Sequence, residues 1–465
     1  MPGRVLVVTY FFPPVGGVGV QRTLKYVTYL PRWGWRPFVL APRDPAYPLR
    51  DESLLESLDD ATEVHRSFSM EPTRLTQTAR RFMGRSRSSD GRQVASGGAA
   101  APVRRRGPLH EMLRAGASAW SRIWGALLFP EEAIAWLPSA LPSAVRLVRR
   151  RSIDVIYSSS PPVATHVIAG LTKLMTGRPW IADFRDPWIG NLSARASSRA
   201  RRLLQRRTER WIVDHADAVV VAVESLRDEF RARYPETPDR FVYIPNGYDR
   251  ADLADLPAGP PPDPDRFRLV FGGSLYRELE LEIFLAGVEL LLSRRPDLRR
   301  RLSVQFVGPV NDLNATVAAS HAESLGDVVR FFGFLPRRRA LAFMASASAL
   351  LRLMPPDTRA GGLVSAKLLE YLGFDRPIFA VVPDGEGRRL VEGLPGGRTA
   401  AVDPESVAAA LESLIDDPPA AGATDPTGRY DRVNLAGELA RVLDEVALRA
   451  RETHRREHPA NLAGS

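Results

Sequence analysis

Short apolar runs alternate along the chain with longer stretches in which apolar positions recur every three or four residues. The first kind of pattern predicts buried strands and the second predicts helices packed by one face. In the first half, strands are expected at Arg4–Thr9, Pro37–Ala41, Val155–Ser158, Trp180–Asp183 and Ala218–Ala222, with helices at Val20–Trp33, Ser139–Arg151, Val163–Thr176 and Ser198–Asp214. In the second half, strands are expected at Arg268–Gly272, Ser303–Val307, Val328–Phe331, Ala349–Leu353, Ile378–Val382 and Thr399–Val402. Helices are expected there at Glu280–Arg294, Arg337–Ala345, Ala366–Phe374 and Pro404–Asp416. Alternation of this kind predicts α/β architecture with parallel sheets and right-handed crossovers, in two sets.

The pattern breaks in two places. DLPAGPPPDPDR, Asp255–Arg266, is a proline-rich linker, so a first domain over residues 1–250 and a linker over 251–266 are expected. From about Ser67 to Pro108 the chain is rich in Arg, Ser, Gly and Ala and poor in large apolar residues, which predicts an irregular insertion without a core. After it, Leu109, Met112, Leu113, Trp120, Ile123 and Trp124 fall at helical spacing. That helix packs either on its own domain or, beside its Arg-rich flank, on an anionic membrane surface. A second domain is expected over 267–428, a helix over Arg429–Arg451 and a frayed tail over 452–465.

Composition narrows the compartment and the partners. The 465 residues, 44% hydrophobic and 25% charged, suit a globular protein of two domains. There is no cysteine, which excludes disulfides and thiolate metal sites. The opening MPGRVLVVTYFFPP has too short an apolar run for a signal peptide, and no long uncharged apolar run is present, so a cytoplasmic protein is expected. The net charge of +10 comes from arginine: of 64 basic residues only Lys25, Lys173 and Lys367 are lysine. A basic surface suits nucleic acid, an anionic membrane or phosphorylated small molecules, and charge alone does not choose.

Candidate chemistry lies just beyond the strands, where open parallel sheets bind ligands. FFPPVGGVGVQR, Phe11–Arg22, offers Gly16, Gly17 and Gly19 for close backbone approach, yet it lacks the dinucleotide spacing. SSSPP, Ser158–Pro162, offers hydroxyls such as that of Ser159. PWIADFRDPW, Pro179–Trp188, delivers Asp183, Arg185 and Asp186, either as a salt bridge shaping the site or as a grip on a polar acceptor. PNGYD, Pro245–Asp249, is a turn around Asn246. FGGSLY, Phe271–Tyr276, is a second glycine turn, with Gly273 and then Arg277. In RAGGLVSAKLLEYLGFDRPIFAV, Gly361 and Gly362 lead into a helix with Ser365 near its start. Lys367 and Glu370, three residues apart, share one face of it, either as a surface ion pair or as a cation for a diphosphate and a carboxylate for ribose hydroxyls. No Asp-x-Asp cluster ends a strand, so no metal is expected.

FFPPVGGVGVQR, SSSPP, PWIADFRDPW, PNGYD, FGGSLY and KLLEYL with RPIFAV, in this order and spacing, resemble the GT-B glycosyltransferases, specifically the glycosyltransferase 4-like group. The resemblance implies two Rossmann-like domains with parallel sheets facing across a cleft, and a last helix crossing back to the first domain. It implies Gly273, Arg277, Gly361, Gly362, Ser365, Lys367 and Glu370 on the nucleotide-sugar donor. Asp183, Arg185 and Asp186 would be catalytic, and Gly16, Gly17, Gly19, Arg22, Ser159 and Asn246 would form the acceptor lip. Glu370 matches the second glutamate of the family's paired motif, whereas the first falls on Gly362 and is missing. The resemblance also implies metal-independent transfer with retention, no cofactor, and a glycan or lipid-linked acceptor in cell-surface polysaccharide or glycolipid synthesis.

Three other readings share parts of the pattern. A sugar-nucleotide epimerase on the same architecture needs acid and base groups at the sugar, and His166 is the only histidine near a motif. An oxidoreductase lacks the dinucleotide fingerprint. A non-catalytic basic module on membrane or nucleic acid needs aromatics among its cations; the insertion has almost none, which argues against nucleic acid.

Overall fold

The apolar run at the start forms strand β1 (Gly3–Thr9), with Val5 through Val8 at most 1% exposed. A run that is apolar on both sides suits a strand covered on both faces, as in a parallel sheet. Six more strands follow: β2 (Trp35–Pro42), β3 (Glu63–Ser67), β4 (Val155–Ser160), β5 (Trp180–Phe184), β6 (Ala218–Val221) and β7 (Phe241–Tyr243). They make a sheet of order β3-β2-β1-β4-β5-β6-β7, parallel at the β1–β2, β1–β4, β2–β3 and β4–β5 pairs. The second sheet contains β8 (Phe267–Gly272), β9 (Leu302–Val307), β10 (Val329–Phe331), β11 (Ala349–Leu353), β12 (Ile378–Val381) and β13 (Arg398–Ala400). Its order is β10-β9-β8-β11-β12-β13, and β8 pairs in parallel with both β9 and β11. Strand order therefore reverses at β1/β4 in one sheet and at β8/β11 in the other.

This computed structural model describes residues 2–45, 50–59, 61–71, 129–189, 199–261, 263, 265–275, 278–354, 364–420, 422 and 424–457. The helices longer than one turn are α1 (Val18–Tyr29), α2 (Leu137–Arg150), α3 (Ala164–Thr176), α4 (Arg199–His215), α5 (Glu224–Arg233), α6 (Glu278–Arg294), α7 (Asp312–Ser320), α8 (Arg337–Ala345), α9 (Ala366–Tyr371), α10 (Glu386–Glu392), α11 (Pro404–Asp416) and α12 (Arg432–Glu457). Starts are chemically marked: Asn311, Ser365 and Asp403 each accept a backbone N–H at the head of α7, α9 and α11. α3 stops at Gly177, whose φ of 69° is left-handed.

By compactness the chain divides into Met1–Val220 with Val442–Ser465, and Val221–Arg441. The part of α12 in the first unit is tied to it by Trp35 Nε1, which donates to Asp444 Oδ1 at 3.0 Å. In the second unit, alternate residues of the strands feed two cores. Leu269, Phe271, Val304 and Phe306 pack with α6 and α11 on one face, while Val270, Val307 and Leu350 pack with α8 and α9 on the other.

The elements absent from the sequence reading carry weak patterns. All five residues of β3 are only half-buried at the sheet edge, and EVHRS has no apolar run. α5 buries only Leu226 and Phe230. The expected irregular insertion, beyond its first five residues, and the expected helix at Leu109–Trp124 lie outside the described residues. Among the described residues no helix is long and apolar enough to cross a membrane.

Candidate active site

In the first unit the motif residues converge where strand order reverses. Arg22, on the second turn of α1, reaches the end of β5. Its Nε donates to Asp183 Oδ2 at 3.0 Å and its Nη2 to Asp183 Oδ1 at 2.9 Å. The Tyr157 hydroxyl also donates to Asp183 Oδ2, at 2.6 Å, and the Ser159 hydroxyl at 3.0 Å. Burial opposes both charges. The paired guanidinium nevertheless holds Asp183 below its ordinary value, and the carboxylate holds Arg22 above its own. Burial, and then Asp183, push the Tyr157 hydroxyl well up, so it remains a donor. Here the structure corrects the sequence reading. Asp183 is 0% exposed, Arg22 1% and Ser159 2%. They saturate one another, bolt α1 to the sheet and present no surface to a substrate.

Arg185 is the second bolt. Its Nε donates to Ser160 O at 2.9 Å and its Nη2 to Pro161 O at 2.8 Å, while Nη1 donates to Gly19 O. One guanidinium fork thus fixes the SSSPP turn against the first glycine turn. Burial lowers its pKa, with Asp186 and Asp183 acting against that shift. What stays open to solvent is Gly17, Gly19 and Asp186. Gly17 precedes α1 at φ 96°, a conformation side chains rarely adopt. Gly16 is buried, and a side chain there would meet Asp51 Cβ at 3.2 Å. His166 is 0% exposed, its Nδ1 is 2.8 Å from Ser158 Oγ, and burial pushes its pKa down to about 3. It is a packing residue, not an acid or base facing a sugar.

In the second unit a charged chain lies beside the corresponding reversal. Lys367 and Glu370 project from α9, with Nζ and Oε2 3.6 Å apart and side chains 16% and 15% exposed. That burial excludes a solvated surface pair. Glu370 Oε1 takes Arg337 Nη1 at 2.9 Å, and Arg337 Nη2 reaches Asp252 Oδ2 at 2.8 Å. Burial works to raise Glu370, but Arg337 and then Lys367 hold it below its ordinary value. Burial also lowers Lys367, while Glu370 supports its charge.

The glycine turn after β8 is shaped around the lysine. Gly273 has φ +136°, and a Cβ there would sit 2.5 Å from Lys367 Cε and 2.7 Å from Nζ. Its N–H donates to Val307 O at 2.7 Å, and a Cβ on Gly308 would strike Gly273 O at 1.9 Å. Both turns therefore need glycine. The Tyr371 hydroxyl accepts from Gly272 N at 2.9 Å and donates to Leu351 O at 3.1 Å, tying the ends of β8 and β11 together. Ser365 caps α9 and accepts Arg352 Nε at 3.0 Å.

PNGYD works one step removed. Tyr248 N donates to Tyr430 O at 3.0 Å, Arg432 N donates to Tyr248 O at 2.8 Å, and Gly247 abuts Tyr430 O. This interlock leaves Asn246 half-buried and sets the short turn carrying Asp252. Arg277, Gly361 and Gly362 lie outside the described residues.

Sequence reasoning missed Arg337 and Arg352. Arg337 carried a usable signal. Three arginines open α8, at the end where a helix disfavours cations, which calls for carboxylate partners nearby. Among the described residues, no group of three or more His, Asp or Glu side chains gathers as metal ligands.

Two parallel Rossmann-like sheets with these turns at their reversals define a GT-B fold. HepE of Anabaena, solved in complex with UDP, superimposes with a TM-score of 0.59 at 15% identity, covering 95% of this chain and 100% of that one. Residues 101–252 match the model of Glycosyltransferase Family 4. A D-inositol 3-phosphate glycosyltransferase of Thermobispora bispora is 27% identical over 262 residues, which is 53% of this chain and 60% of that one. A glycogen synthase of Mycobacterium tuberculosis is 26% identical over 261 residues, 54% of this chain and 58% of that one. The chain thus spans about 60% of the length of the curated relatives it matches. Residues 101–252 are thus similar to Glycosyltransferase Family 4, and the fold is that of GT-B proteins.

Proposed function

We propose that the protein is a glycosyltransferase that moves a sugar from a nucleotide-sugar donor to a glycan or lipid-linked acceptor. The observation that carries this reading is the buried Lys367–Glu370–Arg337 cluster packed against Gly273 at the β8/β11 reversal. Lys367, with Arg352 on β11 nearby, supplies fixed positive charge where a diphosphate leaving group develops its negative charge. Glu370, kept ionised by Arg337, offers acceptor lone pairs to ribose hydroxyls. Backbone at Gly273 provides close approach without side-chain bulk.

In the first unit Gly17, Gly19 and Asp186 are exposed beside the Arg185 clamp. Asp186 is the exposed carboxylate there that an acceptor hydroxyl can meet. The family resemblance adds retention of anomeric configuration without a metal, the leaving phosphate assisting deprotonation of the acceptor. It also adds a role in cell-surface polysaccharide or glycolipid assembly, in the cytoplasm at the inner face of the membrane. Names of the matched relatives, an inositol-phosphate glycosyltransferase and a glycogen synthase, agree with glycosyl transfer and differ in acceptor.

The test is a thermal-shift screen against UDP-, GDP- and CDP-sugars. Stabilisation by one names the donor through linkage. Silence from all of them removes the reading.

A further inference from the structure

Strand β9 is polar where its neighbours are apolar. Val304 and Phe306 enter the core with α6 and α11, so Ser303 and Gln305 share the other face with Val307, which packs with α8. Gln305 stands level with Val270 of β8 and Arg330 of β10, and it is 8% exposed. Its Nε2 donates to Ser303 Oγ at 3.3 Å, while its Oε1 receives no hydrogen bond from any described residue. A buried carbonyl without a donor is unfavourable, and a ligand N–H relieves it.

Both side chains line a cavity of about 820 Å³ in the second unit, a volume that suits a small molecule. Residues 259–261 form a fixed wall of it. Arg268 Nη1 donates to Pro260 O at 3.2 Å and its Nη2 to Pro261 O at 2.6 Å, and a Cβ on Gly259 would meet Ala342 O of α8 at 2.5 Å. Arg268 is thereby occupied. Phe332 and Phe343 also line the cavity as an edge-to-face pair with ring centroids 4.8 Å apart, and Phe332 is 39% exposed. Its ring offers a face for stacking.

Three more guanidinium groups in the lining can meet an anion. Arg339, exposed on α8, has no side-chain partner among the described residues. Arg330 pairs with Asp327 at 3.2 Å in an exposed contact, and Arg266 lies 3.8 Å from Asp263. Weak pairs of this kind yield to a phosphate, which accepts several charge-assisted hydrogen bonds at once. A ring face, a buried acceptor that needs a donor, and cations at the rim together match an amino-bearing aromatic base joined to phosphate. Glutamine pairs with adenine in this way, accepting from its amine and donating to a ring nitrogen.

We infer that the cavity beside β9, β10 and α8 binds a nucleoside phosphate whose base carries an exocyclic amine. The amine meets Gln305 Oε1, the ring lies on Phe332, and the phosphate lies among Arg266, Arg330 and Arg339. This site is separate from the donor cluster, since it takes in Arg268 at the start of β8 whereas Gly273 lies past that strand's end. It goes beyond the proposed glycosyl transfer and does not depend on it.

The full-length protein is titrated calorimetrically with AMP, as wild type and as Glu370→Ala, which weakens the proposed donor cluster. One AMP site is expected to persist in Glu370→Ala. Gln305→Leu and Arg339→Glu, each made in that background, are expected to lower its affinity at least about tenfold. Purine riboside 5′-phosphate, which lacks only the amine, and adenosine, which lacks the phosphate, are each expected to bind at least about tenfold more weakly than AMP. Gln305→Leu removes a buried polar atom that no protein group satisfies, so its thermal unfolding is expected to stay cooperative, as is that of the exposed Arg339→Glu. The inference is overturned if AMP does not bind, if all AMP binding is lost in Glu370→Ala, or if either added substitution leaves AMP affinity unchanged. It is overturned equally if ribose 5-phosphate binds as tightly as AMP, which would make this a free-phosphate site, or if a single-stranded oligoadenylate binds more tightly than AMP.

Discussion

Arg337 Nη1 lies 2.9 Å from Glu370 Oε1, and the same guanidinium lies 2.8 Å from Asp252 Oδ2. The head of α8 thereby fixes the carboxylate of α9 and joins it to the turn after PNGYD. Removing the cation takes the guanidinium from both carboxylates and leaves Glu370 with the longer Lys367 contact, a change that costs about 3 kcal/mol in buried pairs. Arg337→Met is therefore expected to lower unfolding free energy by roughly that amount, read by denaturant titration. It should also weaken nucleotide-sugar binding, because Glu370 loses the larger of the two charges that keep it ionised. Stability from the Glu370 pair is present above its unfolded value of 4.5 and is lost as pH falls through the lower folded value.

Arg185 spans three backbone carbonyls, at Ser160, Pro161 and Gly19. Lys keeps the charge but not the planar fork. Arg185→Lys is expected to lower kcat by about ten- to a hundredfold, with donor affinity changed less than about threefold, since misplacing a positioned wall slows the chemistry first. Equal losses in both, measured by steady-state kinetics and calorimetry, would place Arg185 on the donor.

Gly17 sits at φ 96° in the exposed part of the first glycine turn. A β-branched side chain there costs about 1–3 kcal/mol of backbone strain. Gly17→Val is expected to reduce turnover more than nucleotide affinity. Collapse of nucleotide affinity with turnover retained would mean that this turn, and not the one at Gly273, holds the donor.

His166 gives a signed pH dependence. Its folded value of about 3 lies below the unfolded 6.5, so between those limits the unfolded chain binds the extra proton. Stability therefore falls as pH drops below 6.5, by at most about 1.4 kcal/mol per pH unit from this one group. His166→Gln is expected to flatten the slope between pH 5 and 6.5, where carboxylates still contribute little. An unchanged slope in urea titrations across that window would remove His166 as its source.

The strands that build both reversals were legible in the sequence, because a strand buried on both faces is a continuous apolar run such as Val5–Val8 or Val155–Tyr157. Edge strand β3 was not, since a half-buried edge has no such run. The sequence also put the right motifs after the right strands. It could not say which of their polar groups face outward. Asp183 reads as a strand-end carboxylate ready for a substrate, yet its partner Arg22 stands 161 positions earlier and closes it off. Glu370 likewise needed Arg337, 33 positions away, to explain its charge. Such pairings are set by tertiary packing and leave only faint traces, such as cations at the wrong end of α8.

The central claim is that a nucleotide sugar binds at Lys367, Glu370 and Gly273. Its most direct test is calorimetric titration of wild type, Lys367→Met and Glu370→Ala with the nucleotide sugar that gives the largest thermal shift. Saturable binding by wild type, weakened at least about tenfold in each variant, is the predicted result. Variants that bind as tightly as wild type while remaining folded would contradict the claim.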